Sequence, residues 1–166
     1  MLVDIDCIDH QKIMDLIFWR HAEALDPIEG EEDLLRELTP KGEKQASKVG
    51  SWLDRQLPEG VRVMCSPATR AEQTVRALGR KYKLKSDLLP DASATDLLEA
   101  VGWPHSKMSV VVVGHQPVIG QCVAYLLGMP DQSLSVRKGS VWWLRSRIRE
   151  GQPQTVVVSV QSPELI

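Results

Sequence analysis

The chain has 166 residues, of which 43% are hydrophobic and 25% charged. That composition excludes a disordered or fibrous chain and suits one domain built on a single core. With 20 basic against 22 acidic residues the net charge is −2, which excludes a globally polyanion-binding surface and leaves room only for a local basic pocket.

The N-terminal stretch, residues 1–12, is mixed and acidic and reads as a short surface extension ahead of a domain spanning 13–166. It has no basic segment before an apolar run, and no apolar stretch is long enough for a bilayer. The expectation is therefore a cytoplasmic protein that does not engage the membrane. Cys7, Cys65 and Cys122 are odd in number and lack Cys-x-x-Cys spacing, which predicts free thiols in a reducing compartment.

Residues 13–19 are apolar, β-branched or aromatic and predict a buried strand, which stops abruptly at Arg20-His21-Ala22-Glu23. The acidic stretch 26–37, with Pro27 and Gly30, predicts a loop with one short helical turn. Thr39 as N-cap and Pro40 at the first helical position start a helix. Its Ala46, Val49, Trp52, Leu53 and Leu57 form one apolar stripe, and Pro58-Glu59-Gly60 ends it. Residues 61–65 predict a second strand, closed by Ser66-Pro67. A helix is expected over 69–82, with Val75, Leu78 and Tyr82 inward, then an edge strand over 85–89 and a helix over 94–101.

Val110 to Val113 is the strongest strand, with the composition of one buried on both faces, and Gly114-His115-Gln116-Pro117 ends it. A helix then runs from Pro117 to Leu127 and stops at Gly128 and Pro130. Strands over 139–144 and 155–160 follow, joined by a basic segment over 147–153. Trp142 and Trp143 are adjacent on a strand and so point to opposite faces, one of them into the core. The fold class is α/β: a single three-layer domain with a mainly parallel sheet flanked by helices, the last two strands antiparallel at one edge.

In such sheets ligands bind beyond the carboxyl ends of the strands. Three strand ends carry polar groups: Arg20-His21, Ser66 to Arg70, and His115-Gln116. Guanidinium forks bind phosphoryl oxygens, and a neutral imidazole is a nucleophile near neutral pH. Two histidines beside two arginines suit an oxyanion better than a metal ion, which guanidinium charge repels. The expected chemistry is phosphoryl transfer to an imidazole followed by hydrolysis, without metal or cofactor. Taken singly, an Arg-His pair can be an ion-paired strand edge and His115 a helix cap; their matching topological positions favour a joint site. His10 and His105 read as unrelated to it.

In its motifs the chain resembles the histidine phosphatase superfamily, the phosphoglycerate-mutase-like fold, and its small branch of protein phosphohistidine phosphatases. Arg20-His21-Ala22 stands where that family has Arg-His-Gly, with alanine replacing glycine. Leu38-Thr39-Pro40-Lys41-Gly42 matches its Leu-Thr-x-x-Gly, Ser66 to Thr74 its Ser-Pro-x-x-Arg-Ala-x-Gln-Thr, and Gly114 to Pro117 its Gly-His-x-Pro. The resemblance implies His21 as the phosphorylated nucleophile, with Arg20, Arg70 and His115 gripping the phosphoryl group. Asp91 is the nearest match to the carboxyl general acid of related phosphomonoesterases, which is carried on a longer insertion.

The expected substrate is a histidine-phosphorylated protein, such as a histidine-containing phosphotransfer domain, because a phosphoramidate needs no strong acid to expel its imidazole. The alternatives are a small phosphomonoester, or phosphate binding without turnover. A phosphate or sulfate ion is expected in the pocket, and no nucleic acid. The basic residues from Arg137 to Arg149 suggest an acidic partner. Gly139-Ser140 is expected beside the phosphate, because the branch often carries a Lys-Gly-Ser step there.

Overall fold

Three strands of a six-stranded sheet end side by side, and this is what assembles the polar groups. The computed structural model describes residues 13–129 and 131–166; the expected extension over 1–12, with Cys7 and His10, and Pro130 lie outside the described residues. The elements are β1 (Ile13–Arg20), α1 (Pro40–Gln56), β2 (Arg62–Cys65), α2 (Thr69–Arg76), β3 (Lys83–Leu84), α3 (Ala94–Val101), β4 (Val110–Gly114), α4 (Val118–Leu126), β5 (Val141–Arg149) and β6 (Gln152–Gln161). Short 3-10 turns occupy Asp33–Leu35 and Ser86–Leu88.

The sheet order is β3-β2-β4-β1-β5-β6. Strands β3, β2, β4 and β1 are parallel, whereas β5 runs antiparallel to β1 and β6 antiparallel to β5. The mainly parallel α/β sheet with an antiparallel edge is thus present. The four central valines of β4 are fully buried, as a strand covered on both faces requires. One face packs Leu97, Val101, Ile119 and Val123 of α3 and α4 against Leu16, Phe18 and Val112. The other packs Val49 and Leu53 of α1 and Val75 of α2 against Ile17, Trp19 and Val111. Burial of each such large side chain contributes about 1.5–3 kcal/mol.

Thr39 caps α1, its hydroxyl accepting the Gly42 amide at 3.0 Å, with Pro40 at the first helical position. Three boundaries differ from expectation. Helix α2 ends at Arg76 rather than 82, because Gly79 takes a left-handed backbone (φ +72°) that turns the chain toward β3. The edge strand is the two-residue β3 at 83–84; over 85–89 the chain instead turns so that Leu88 plugs the core. Strands β5 and β6 are longer than expected and meet in a tight turn at Glu150-Gly151, both with positive φ. Trp143 is buried and Trp142 half-buried, on opposite faces of β5.

Antiparallel β5 also splits the basic segment. Arg137 and Lys138 precede β5 at the Arg20 end of β1, whereas Arg147 pairs with Ile13 at the opposite end. Seven residue steps along the strand separate Ile13 from Arg20, roughly 23 Å at ~3.3 Å per residue. Arg145 is held by Asp15 through contacts of 2.7 and 2.9 Å. The segment from Arg137 to Arg149 is therefore not one basic surface facing the polar strand ends, as the sequence suggested.

Candidate active site

Arg20 pairs with Gly114, and Cys65 with Val113, so β1, β4 and β2 finish at one level. The chain leaves each strand held to its neighbour: the His21 amide donates to Gly114 O at 3.0 Å and the Ser66 amide to Val113 O at 3.0 Å. His21, His115 and Ser66 are thereby delivered to the same sheet edge, and Arg70 follows in the first turn of α2. The His21 and His115 rings lie 5.1 Å apart between centroids, inclined at 54°. A cavity of about 220 Å³ is walled by Arg20, His21, Arg70 and His115, together with Arg36, Lys138 and Asp26.

His21 Nδ1 lies 2.7 Å from the Ala22 carbonyl oxygen. A carbonyl only accepts, so Nδ1 carries the proton and Nε2 keeps its lone pair. Burial, reinforced by the charges of Arg70, Arg20 and Arg36, pushes the His21 pKa down to about 3, against the opposing pull of the Ala22 hydrogen bond. Burial, then the nearby His21 and Arg70, likewise lowers His115 to about 3. Both rings are neutral at neutral pH. His115 Nε2 is 2.8 Å from Ser66 Oγ.

The arginines are partly anchored and partly free. Arg20 Nη1 donates to Val136 O at 2.7 Å; Arg70 donates to the carbonyl and carboxylate of Asp33 at 2.8 and 3.0 Å. Arg20 Nε, Arg70 Nε and His115 Nδ1 are buried without a hydrogen-bond partner in the protein. Buried polar atoms of this kind are costly unless a ligand satisfies them. Cationic donors converging on a neutral imidazole suit a tetrahedral oxyanion. Among the described residues, no three His, Cys, Asp or Glu side chains gather as a metal-binding group.

The motif residues around the site hold its loops. Thr74 Oγ1 accepts the Ala22 amide at 3.0 Å, Gln73 Oε1 the Leu38 amide at 2.7 Å, and Gln45 Oε1 the Glu23 amide at 3.0 Å. Gly139 donates its amide to His21 O and accepts the Trp19 indole N–H at 3.1 Å, while Ser140 O accepts the Arg20 amide. The expected Gly139-Ser140 step thus lies against the site. Ala22 has no positive φ; its methyl packs with Ala24, Leu38 and Ala46. Alanine in place of the family glycine therefore introduces no backbone strain.

Asp91 is exposed and does not wall the cavity, although its neighbour Pro90 does. The carboxylate that walls it is Asp26, at the exposed mouth. Sequence reasoning missed Asp26, Arg36 and Lys138. Arg36 had a signal, being the sole basic residue in the acidic stretch 26–37. His105 is exposed and outside the cavity wall. No helix among the described residues is long and apolar enough to cross a membrane.

Residues 16–102 match the family described as Histidine phosphatase superfamily (branch 1). A phosphohistidine phosphatase SixA homolog of Haemophilus influenzae is 31% identical over 131 residues, covering 69% of this chain and 78% of the relative. Phosphohistidine phosphatase SixA of Escherichia coli is 31% identical over 122 residues, covering 68% and 74%. The structure of the protein histidine phosphatase SixA complexed with tungstate superposes with a TM-score of 0.71 at 25% identity, over 90% of this chain and 97% of that one. A protein assigned as a phosphohistidine phosphatase SixA from Nakamurella multipartitia superposes with a TM-score of 0.75 at 27% identity, over 91% and 96%.

Proposed function

This chain belongs to the histidine phosphatase superfamily and is a phosphatase of the SixA-like branch, and on that premise we propose that it removes the phosphoryl group from phosphohistidine on a protein partner. The observation that carries the reading is the His21 ring: Nδ1–H tied to Ala22, Nε2 bearing a lone pair, and the whole neutral among the guanidinium groups of the cavity.

His21 Nε2 attacks phosphorus in line. The P–N bond of the substrate breaks, and its electrons return to the departing ring. That ring leaves as neutral imidazole when its other nitrogen carries a proton, so no strong acid is needed. Arg20 and Arg70 neutralise the equatorial oxygens, with Arg36 adding positive charge at the rim and His115 donating a hydrogen bond. Water then attacks phosphorus on His21, releasing phosphate and restoring the neutral imidazole. No metal takes part in this scheme.

The 31% identity to SixA proteins supports phosphohistidine as substrate. One observation favours a second reading, a small phosphomonoester: Asp26 walls the cavity at its exposed mouth and is a carboxyl group that can serve as the acid that an alkoxide leaving group requires. Side-by-side turnover of a phosphohistidine protein and an alkyl phosphate tests the two. The expected result is preference for phosphohistidine, unaffected by Asp91→Asn. Alkyl phosphate turnover that falls roughly 10²–10⁴-fold in Asp26→Asn or Asp91→Asn, without phosphohistidine activity, overturns it.

A further inference from the structure

Next to the phosphate cavity, the connection between β1 and α1 forms a second groove, of about 340 Å³. Asp26 and Arg36 wall both spaces, so the two adjoin. The groove presents Leu25, Ile28 and Leu35, which are 49%, 60% and 63% exposed. Its remaining polar wall is acidic: Glu31, Glu32 and Glu37 join Asp26. The Arg36 guanidinium is already engaged, donating to Asp33 Oδ1 at 2.8 Å and to Leu25 O at 2.7 Å.

We propose that this groove receives the residues flanking the phosphorylated side chain of a protein substrate, and that it selects a segment with an apolar residue beside lysine or arginine. The proposal rests on the reading of the chain as a protein phosphohistidine phosphatase and names the surface that recognises the substrate. The shared wall of Asp26 and Arg36 sets the location, because it puts the groove beside the cavity that would hold the phosphoryl group. Charge sets the partner: carboxylates repel acidic flanks and attract basic ones, while the arginines within the cavity take the phosphoryl group. Exposed leucine and isoleucine side chains offer an apolar seat between those carboxylates.

The groove is built in advance. The Leu25 amide donates to Glu37 O at 2.8 Å, and an isolated bridge joins Ala24 to Leu38. Asp33 binds Arg36 and Arg70 together, which ties the groove to the cavity wall. Little ordering is left to oppose binding. In this proposal the flanks that meet the site are basic, whereas the sequence suggested an acidic partner.

The test compares matched phosphohistidine peptides with Leu-Lys-Lys or Leu-Glu-Glu flanks. The basic peptide is expected to show a kcat/KM higher by about tenfold or more, the equivalent of ~1.4 kcal/mol. Combined Glu31→Lys and Glu32→Lys substitution should erase or invert that preference, and the change should appear in KM. A binding arm measures fluorescence anisotropy on peptides bearing a stable phosphonate analogue of phosphohistidine, and the same order of Kd is expected. Equal or better use of acidic flanks, or a preference that survives the charge reversal, overturns the proposal. If the binding order holds but no phosphohistidine is turned over, the groove stands and the catalytic reading falls. Turnover without discrimination between flanks has the opposite meaning.

Discussion

Gly42, in the first turn of α1, lies directly against the backbone of Glu23: a Cβ at Gly42 would stand 1.9 Å from the Glu23 carbonyl oxygen. That oxygen also accepts the Thr39 amide at 3.0 Å. The helix start and the segment after His21 are thus packed backbone to backbone. This gives the glycine of the Leu-Thr-x-x-Gly motif a physical role: it lets the helix approach the loop that carries the candidate nucleophile.

Gly42→Ala should therefore destabilise the fold by roughly 1–3 kcal/mol, the usual range for overpacking, because the obstacle is backbone and has no rotamer to change. The displaced loop should also lower kcat/KM. Urea denaturation alongside steady-state kinetics checks both, and wild-type stability in this variant would show that the contact is relaxed in solution.

His21→Ala should abolish turnover, by a factor on the order of 10⁶ if the ring is a covalent nucleophile. The far-ultraviolet circular dichroism spectrum should stay unchanged, since the His21 backbone amide and carbonyl, rather than its ring, bind Gly114 and Gly139. Rapid trapping at neutral or alkaline pH should find phosphate on His21 in the wild type. Substantial activity in the alanine variant would refute the role.

With His21 and His115 both lowered to about 3, neither ring should take up a proton between pH 8 and 5 in phosphate-free buffer. Nuclear magnetic resonance of the imidazole nitrogens reads this directly, and a ring titrating near its ordinary value of about 6.5 would contradict it. In the unfolded chain both rings bind protons below that value while the native rings do not. The associated stability is therefore complete above about pH 6.5 and is lost progressively as pH falls toward the folded values. A bound phosphate should raise both pKa values by opposite charge and reduce the acid loss.

Exhaustive dialysis against a chelator should leave turnover unchanged, because in the proposed scheme the charge on the phosphoryl oxygens is met by Arg20, Arg70 and Arg36. Activity lost on chelation and restored by a divalent ion would contradict that scheme.

The sequence was most informative where physical constraints are local. Val110 to Val113 could only be a strand buried on both faces, and Thr39-Pro40 marked a helix start by capping alone. The three polar strand ends were visible because β-branched or aromatic runs stop abruptly at charged residues, and the sheet rule then placed them at one edge. Less was legible in short or irregular segments. The two-residue β3 and the turn that buries Leu88 depend on which surface is left uncovered by α3, and no periodicity carries that information.

Long-range direction and approach were decided by tertiary structure alone. Whether Arg145, Arg147 and Arg149 stand beside Arg20 depends on β5 running antiparallel to β1, and composition is the same in either orientation. Arg36 and Asp26 reach the cavity because the connection between β1 and α1 folds back and is latched by Asp33 to Arg70, across 37 positions of chain. The sequence determined which chemistry was on offer, since residue type sets charge, donors and local propensity. Which of those groups meet at His21 was set by strand direction and by the packing of loops around it.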